Sequence, residues 1–472
     1  MARLRVSLLD DDEIEMLDEQ TLTVLEDVGV AVPVDEALDL LEANGATVDR
    51  TTGIARIPRE LVRRCLETVP KQVRLAARDP KHDVVLGDGS VTFTTDGTAT
   101  YVVDDLTGER YEGSADYQRT LNRLFDALPN VDYIWPTISA RDLDPVACDL
   151  EIQSIAWRNC TKHVQDEIRT PELVAPMLDM MAAVAGATPR ERPVYSQINC
   201  TLAPLAHDPA MTEASMALAR AGVPIAIMPM PLMGTTAPMS VAGVTVQCMA
   251  EMLSGVVIFQ LAAPGCPLIA SPEPGSADMS SGLYLCATPE AGDAVAASIV
   301  MCKHYGLPTT GGGFGGDAKA PDFQDGIEGG GVIDVLLGAD SLVGLGCFDG
   351  AQATSLATII LHHEAAGLVK EELQRTPFEV ADSLIDDIRA VGPGGHYMAR
   401  RSTRAHAHDI WKPTVMRRGT FAASHGRTLI EDAVDRANEI LATHEVPPLP
   451  EDVDRHIDEV IAAQRRLLAS TV

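Results

Sequence analysis

From residue 91 onward the chain alternates short β-prone runs with helical stretches, and this rhythm constrains the fold more than any other feature. The runs are VTFTT (91–95) as candidate first strand, VDYIWPTI (131–138), TKHVQ (161–165), PVYSQIN (193–199), PIAIMPM (224–230), PLIAS (267–271), LPTTGG (307–312) and SLVGLGCF (341–348). Amphipathic or wholly apolar helical stretches separate them, for example 210–221, 239–262, 289–304 and 351–374. Strands joined by helix-length crossovers pair in parallel. Eight such βα units close most simply into a (β/α)8 TIM barrel, an α/β fold. An open doubly wound sheet is the alternative that the same pattern permits.

The flanks read differently. Before residue 83, Ile14, Leu17, Leu22, Leu25 and then Ala37, Leu40 and Leu41 recur at helical spacing, punctuated by Gly29 and Pro33, which predicts a helical N-terminal cap over 1–82. Residues 83–113 alternate and carry the turn signals Gly87-Asp88-Gly89 and Thr107-Gly108, so short antiparallel hairpins lead into a barrel spanning 83–375. The tail, 376–472, returns to helical patterning around VGPGGHYMARRSTRAHAHDIWKP (391–413) and is expected to wrap back over the barrel.

Composition removes several classes of function. With 472 residues and 46% hydrophobic content the chain can bury a large core. The longest apolar stretch, 252–270, is interrupted by Gly255, Gln260, Pro264 and Gly265, so no membrane span is expected. The N-terminal MARLRVSLLDDDEIEML turns acidic before a signal-peptide apolar region can form, and a cytoplasmic location is expected. A formal charge of −31 disfavours nucleic acid and anionic membranes. Seven lysines against thirty arginines, with acids in excess, suit a salt-tolerant or high-GC source. The nine cysteines form no CxxC pair and read as free thiols.

Gly311, Gly313 and Gly316 match the G-x-G-x-x-G spacing of a dinucleotide loop, but the context does not fit one. The strand before them is weak and stands seventh in order, and Pro321 follows in DAKAPDFQ. At the C-terminal end of a barrel strand, glycines instead let a ligand approach the backbone. The other strand ends are expected to place Asp96, Trp135, Lys162 with His163, Asn199, Met228 with Met230, Glu273, and Phe348 with Asp349 around the same mouth, beside Asp317 and Lys319. Carboxylates, thioethers and an aromatic ring suit a weakly hydrated cation such as a quaternary ammonium. The plainer reading makes Met228 and Met230 core packing and Trp135 a barrel plug. His362-His363-Glu364 and His406-x-His408-Asp409 do not have metal-site spacing, and no metal is expected. No G-x-S-x-G elbow is present.

Several segments together resemble the trimethylamine methyltransferase superfamily: RDPKHDVVLG (78–87), ALPNVDYIWP (127–136), RNCTKHV (158–164), MPMPLMGTTAPMSVAGVTVQ (228–247), GLPTTGGGFGGDAKAPDFQDGIE (306–328), GADSLVGLGCFDG (338–350) and VGPGGHYMARRSTRAH (391–406). The resemblance implies a TIM barrel that moves a methyl group from a methylated amine to the Co(I) of a corrinoid, the cobalamin carried on a separate corrinoid-binding protein. Trimethylamine-specific members contain pyrrolysine; all 472 residues here are ordinary ones, so the chain is similar to the branch without it, whose substrates are quaternary amines such as glycine betaine, carnitine and proline betaine. By position it implies catalytic roles for Asp317, Lys319 and Glu328, with Asp322 beside them. Gly312, Gly313, Gly315, Gly316, Gln324 and His396 would face the corrinoid. Trp135, Lys162, His163, Asn199, Met228, Glu273 and Phe348 would hold the substrate, Lys162 or an arginine pairing with its carboxylate. A homo-oligomer is expected. Two departures stand out: Val343 where a histidine is expected before GLG (344–346), and Ser402-Thr403 where His-Thr is expected after GPGGH. The alternatives are a non-catalytic or divergent barrel that binds betaine-like solutes, which Val343 would permit, and another enzyme on this scaffold using a different donor or a thioether.

Overall fold

A computed structural model describes residues 6–145, 147–328, 331–374 and 385–469. Eight strands form a closed barrel: β1 (Thr92–Thr95), β2 (Tyr133–Ile134), β3 (His163–Asp166), β4 (Tyr195–Leu202), β5 (Ile225–Met228), β6 (Leu268–Ala270), β7 (Thr310–Gly312) and β8 (Ser341–Leu345). Neighbours pair in parallel from β1 to β6. A parallel bridge from Ala270 to Thr309 joins β6 to β7, and β8 pairs with both β7 and β1. The expected TIM barrel is therefore present, and the open doubly wound sheet is excluded by the β8–β1 pairing. A helix follows each strand: Ala115–Ala127, Cys148–Asn159, Val174–Ala185, Pro209–Ala221, Val241–Ala262, Pro289–His304, Val332–Leu337, which a short helix Phe323–Glu328 precedes, and Leu356–Gln374.

Local chemistry sets the helix ends. Asp208, Ser240 and Thr288 accept the backbone N–H three residues on, capping three of these helices; Gly222 ends the one that Asp208 starts, and Gly186 ends Val174–Ala185, both in left-handed conformation. The β8–β1 register shifts between Leu342 and Leu345. There Gly344 sits at φ 99°, and a Cβ on it would fall 1.8 Å from the Phe314 carbonyl oxygen. That glycine lets the chain after β7 cross directly over β8, where Phe314 N–H donates to the Val343 carbonyl at 3.1 Å.

The two ends of the barrel differ. At the N-terminal end a hairpin, Val73–Leu75 with Val84–Leu86, lies across the opening. Val73, Leu75 and Leu86 join Tyr133, Ile198, Ala226 and Ile269 in one apolar cluster inside the barrel, so this end is sealed. The hairpin spans the position drawn at 82 between cap and barrel. The N-terminal helices Asp11–Thr23, Asp35–Ala43 and Arg59–Thr68 pack against Val241–Ala262, which is why that helix is apolar all round. By length and composition it could cross a membrane, but here it is buried between two protein layers. In the tail, Leu429–Thr443 packs on Leu356–Gln374 and Ala115–Ala127, while Glu451–Ala469 packs on Cys148–Asn159 and Val174–Ala185.

Candidate active site

At the C-terminal ends of the strands lies a cavity of about 810 Å³, a volume typical of small-molecule sites. Trp135, Met228 and Val343 form its floor and belong also to the barrel's internal apolar cluster. One wall is bare backbone, Gly312, Gly313 and Gly315, because glycines at β7 leave room that any side chain would fill. A Cβ on Gly97 would stand 2.2 Å from Trp135 Cε2, so the indole lies against backbone, with its Nε1 donating to Asp166 Oδ1 at 3.1 Å. Tyr284 and Phe314 add two more rings. Phe314 is fixed by Phe93 and His362, with ring centroids 5.9 and 5.1 Å away.

The charged lining is of one sign. Asp96, Glu167, Glu273, Asp293, Glu328 and Asp334 face the cavity, and among the described residues no lysine, arginine or histidine lines it. Burial pushes Glu273 up to about 8, with the charges of Asp96 and Asp334 adding to the effect. Burial alone raises Asp334 to about 7 and raises Asp96 to about 7 against an opposing hydrogen bond from Gly97. Behind Trp135, burial and then the neighbouring Glu167 raise Asp166 to about 8. Glu273 Oε1 is enclosed and has no hydrogen-bond partner, and a Cβ on Gly312 would sit 3.7 Å from its Oε2. Glu273 is partly exposed as a residue and lines the cavity, while its Oε1 is enclosed.

Of the residues that the sequence pointed to, Asp96, Trp135, Met228, Met230, Glu273, Gly312, Gly313, Gly315 and Glu328 reach the cavity. Others do not, each for a physical reason. Lys162 precedes β3, at the closed end, where its Nζ donates to the carbonyls of Phe125 and Leu128 at 2.5 and 2.7 Å. His163 opens β3 there too, bonded to the Ala76 carbonyl and Ser196 Oγ, each at 2.9 Å. Neither can meet a substrate at the mouth. Asn199 points outward from β4 to Ser215 on the next helix at 3.1 Å. Phe348 is buried against Val103 and Ala353.

The predicted catalytic set is a set of ties. Asp317 accepts the backbone N–H of Cys286 at 3.2 Å and of Ala287 at 3.0 Å, joining the chain after β7 to the chain after β6. Lys319 pairs with Asp349, which also holds Arg110 at 2.6 Å. Glu328 touches the cavity but spends its oxygens on Ala318 N–H at 2.9 Å and Gln324 Nε2 at 2.7 Å. Gln324 is exposed, and Asp322 caps the turn before it. Gly316 makes room for Glu328, since a Cβ there would fall 2.4 Å from Glu328 Oε2. His396 is exposed on the tail and does not line the cavity.

Sequence reasoning missed Glu167, Cys200, Tyr284, Phe314 and Asp334. Two of these carried a signal. β3 ends at Asp166, so the acid pair Asp166-Glu167 marks its mouth end, and strand alternation that turns Asn199 outward turns Cys200 inward.

A closed (β/α)8 barrel with a glycine-walled, aromatic and acidic cavity at the C-terminal ends of its strands places this chain among the α/β-barrel proteins. The family described as "Trimethylamine methyltransferase (MTTB)" matches residues 2–469, and the chain belongs to that methyltransferase family. It is 29% identical over 470 residues to a trimethylamine methyltransferase of Methanosarcina mazei, covering 97% of this chain and 95% of that one. It is 27% identical over 458 residues to the trimethylamine methyltransferase of Desulfitobacterium hafniense, covering 96% and 92%. A glycine betaine methyltransferase of Desulfitobacterium hafniense is 26% identical over 471 residues, covering 97% of each chain. Among solved structures, the Methanosarcina barkeri monomethylamine methyltransferase aligns with a TM-score of 0.51 and 12% identity over 97% of this chain and 92% of that one, a likeness of fold.

Proposed function

We propose that this protein transfers a methyl group from a methylated ammonium compound to the Co(I) of a corrinoid held by a separate corrinoid-binding protein. The observation that carries the reading is the cavity itself. Carboxyl groups, three aromatic rings and two thioethers surround a space with room for a methylammonium head, and the wall at Gly312, Gly313 and Gly315 sets no side chain in the way of a large planar acceptor. In the reaction the C–N bond breaks with its electron pair passing to nitrogen, and Co(I) supplies the pair for the new Co–C bond. A quaternary nitrogen is already a competent leaving group, so no proton is needed. The protein's part is to strip water from the cation, orient one methyl group and exclude competing nucleophiles.

The positive charge on nitrogen disappears along this path. Full ion pairing would therefore stabilise the ground state more than the transition state. Carboxyls raised to about 7 or 8 ionise only as the cation arrives, and the free energy of that ionisation offsets part of the ground-state pairing.

The test incubates the purified protein with Co(I) cobalamin and a panel of methylated amines, following the absorbance change of cobalt methylation. Methylation dependent on both amine and protein is expected. Silence across the panel, with binding retained, would favour the second reading, a barrel that binds such solutes without transfer. That reading draws on Val343, which lines the cavity where a histidine was expected.

A further inference from the structure

We infer that the ligand of this cavity is a net cation: a methylated ammonium with no anionic group of its own, and not a zwitterionic betaine. The inference rests on the methyl-donor reading of the same cavity and narrows it. A betaine carries a carboxylate a few bonds from its nitrogen, and a site that accepts it must meet that carboxylate with a basic side chain or a set of free backbone N–H groups. Among the described residues, no basic side chain lines the cavity. Lys162, the expected partner, is held at the opposite end of the barrel by two carbonyls.

Backbone donors at the helix starts are either taken or faced by carboxyl groups. Two helices begin at the cavity, Pro289–His304 through Pro289, Gly292 and Asp293, and Val332–Leu337 through Gly331, Ile333 and Asp334. Such a helix start is a natural anion site. At the first, the Asp317 carboxylate already occupies the N–H groups of Cys286 and Ala287, and Thr288 accepts from Ala291; at the second, Asp334 stands in the first turn itself and sets a carboxyl beside the backbone donors. A ligand carboxylate in the cavity would instead face Asp96, Glu273 and Asp334. Like charges in a partly desolvated space repel strongly. The enclosed, unpartnered Glu273 Oε1 completes the picture of a site waiting for positive charge alone.

The experiment is isothermal titration of the full chain at pH 8 with tetramethylammonium and choline against glycine betaine and carnitine. The cations are expected to bind at least tenfold more tightly than the zwitterions. In Glu273→Gln the cations should weaken and the zwitterions should not, narrowing that gap. Equal or tighter binding of the betaines, or no binding of either cation, overturns the inference. A second variant guards against a folding artefact: Met230→Lys, at a half-exposed rim position, should improve betaine binding by placing a cation within reach. Failure of the methyl-transfer reading is separately visible, as charge-selective binding with no cobalt methylation.

Discussion

Raising the pH should tighten the binding of a methylated cation, and Glu273 should account for most of the effect. Its carboxyl stands near 8 in the empty cavity because burial, Asp96 and Asp334 all oppose its ionisation. With that value, about 1% of molecules carry it ionised at pH 6 and about half at pH 8. A cation that selects the ionised form then gains roughly 50-fold in apparent affinity over those two units and little above pH 9. Asp96 and Asp334, near 7, steepen the lower part of the curve. Binding must release protons, so titration calorimetry in buffers of different ionisation enthalpy should show close to one proton released per cation below pH 7.5 and none near pH 9. Because the bound cation keeps the site ionised across this range, KM should fall with rising pH while kcat stays level. Folding follows the same linkage. These carboxyls have raised folded pKa values, so the unfolded chain holds fewer protons between about pH 4 and 8, and the stability of the empty protein declines as pH rises through that window. Glu273→Gln should flatten the affinity profile and raise Tm at pH 9 by a few °C. An affinity that is flat from pH 6 to 9 with no proton release would refute the reasoning.

Other consequences separate the site from its supports. Lys162→Met removes a buried ammonium that satisfies two carbonyls; it should cost about 2–4 kcal/mol by denaturant unfolding and leave the KM for the amine unchanged. Gly97→Ala forces a methyl group into the Trp135 ring; a loss of about 1–3 kcal/mol together with weakened cation binding is expected, measured by thermal unfolding and titration. Asp317→Asn keeps the shape but withdraws the charge from the Cys286 and Ala287 N–H groups; about 1–2 kcal/mol should be lost, with KM rising because the chains after β6 and β7 are less firmly joined.

How far the sequence reveals this site depends on how each residue gets there. All eight strands were visible as apolar β-prone runs, and the glycines after β7 could be assigned to a cavity wall because their context did not suit a nucleotide loop. The errors arose from end and parity. TKHVQ includes residues that precede β3, so Lys162 and His163 were read as its mouth end when they sit at the sealed one. A single step along β4 separates Asn199, turned to a helix, from Cys200, turned to the cavity. Tyr284 and Asp334 belong to segments beyond the strands, brought to the mouth by packing that no local pattern encodes. The DAKAPDxQ segment carried family resemblance, yet its polar groups bond to neighbouring chain and not to the cavity, because a loop lying across the mouth must satisfy its own backbone first.

The acid cluster also bears on why the cavity persists. Enclosing several carboxyls together costs folding free energy, since each must either shed its charge or face its neighbours. A barrel of this size could fill the same space with leucine and be more stable. At the sealed end His163 bonds to Ala76 and Ser196, and the Tyr133 hydroxyl donates to Ser341 at 2.9 Å, so these groups are satisfied. At the mouth Glu273 Oε1 is left without a partner. Unsatisfied acid at one end and satisfied polar groups at the other are what a ligand-bearing cavity requires, for a bound cation repays the destabilisation in proportion to its affinity. The stabilisation of this protein by saturating tetramethylammonium should therefore be greater at pH 8 than at pH 6, where protonation has already relieved the cluster.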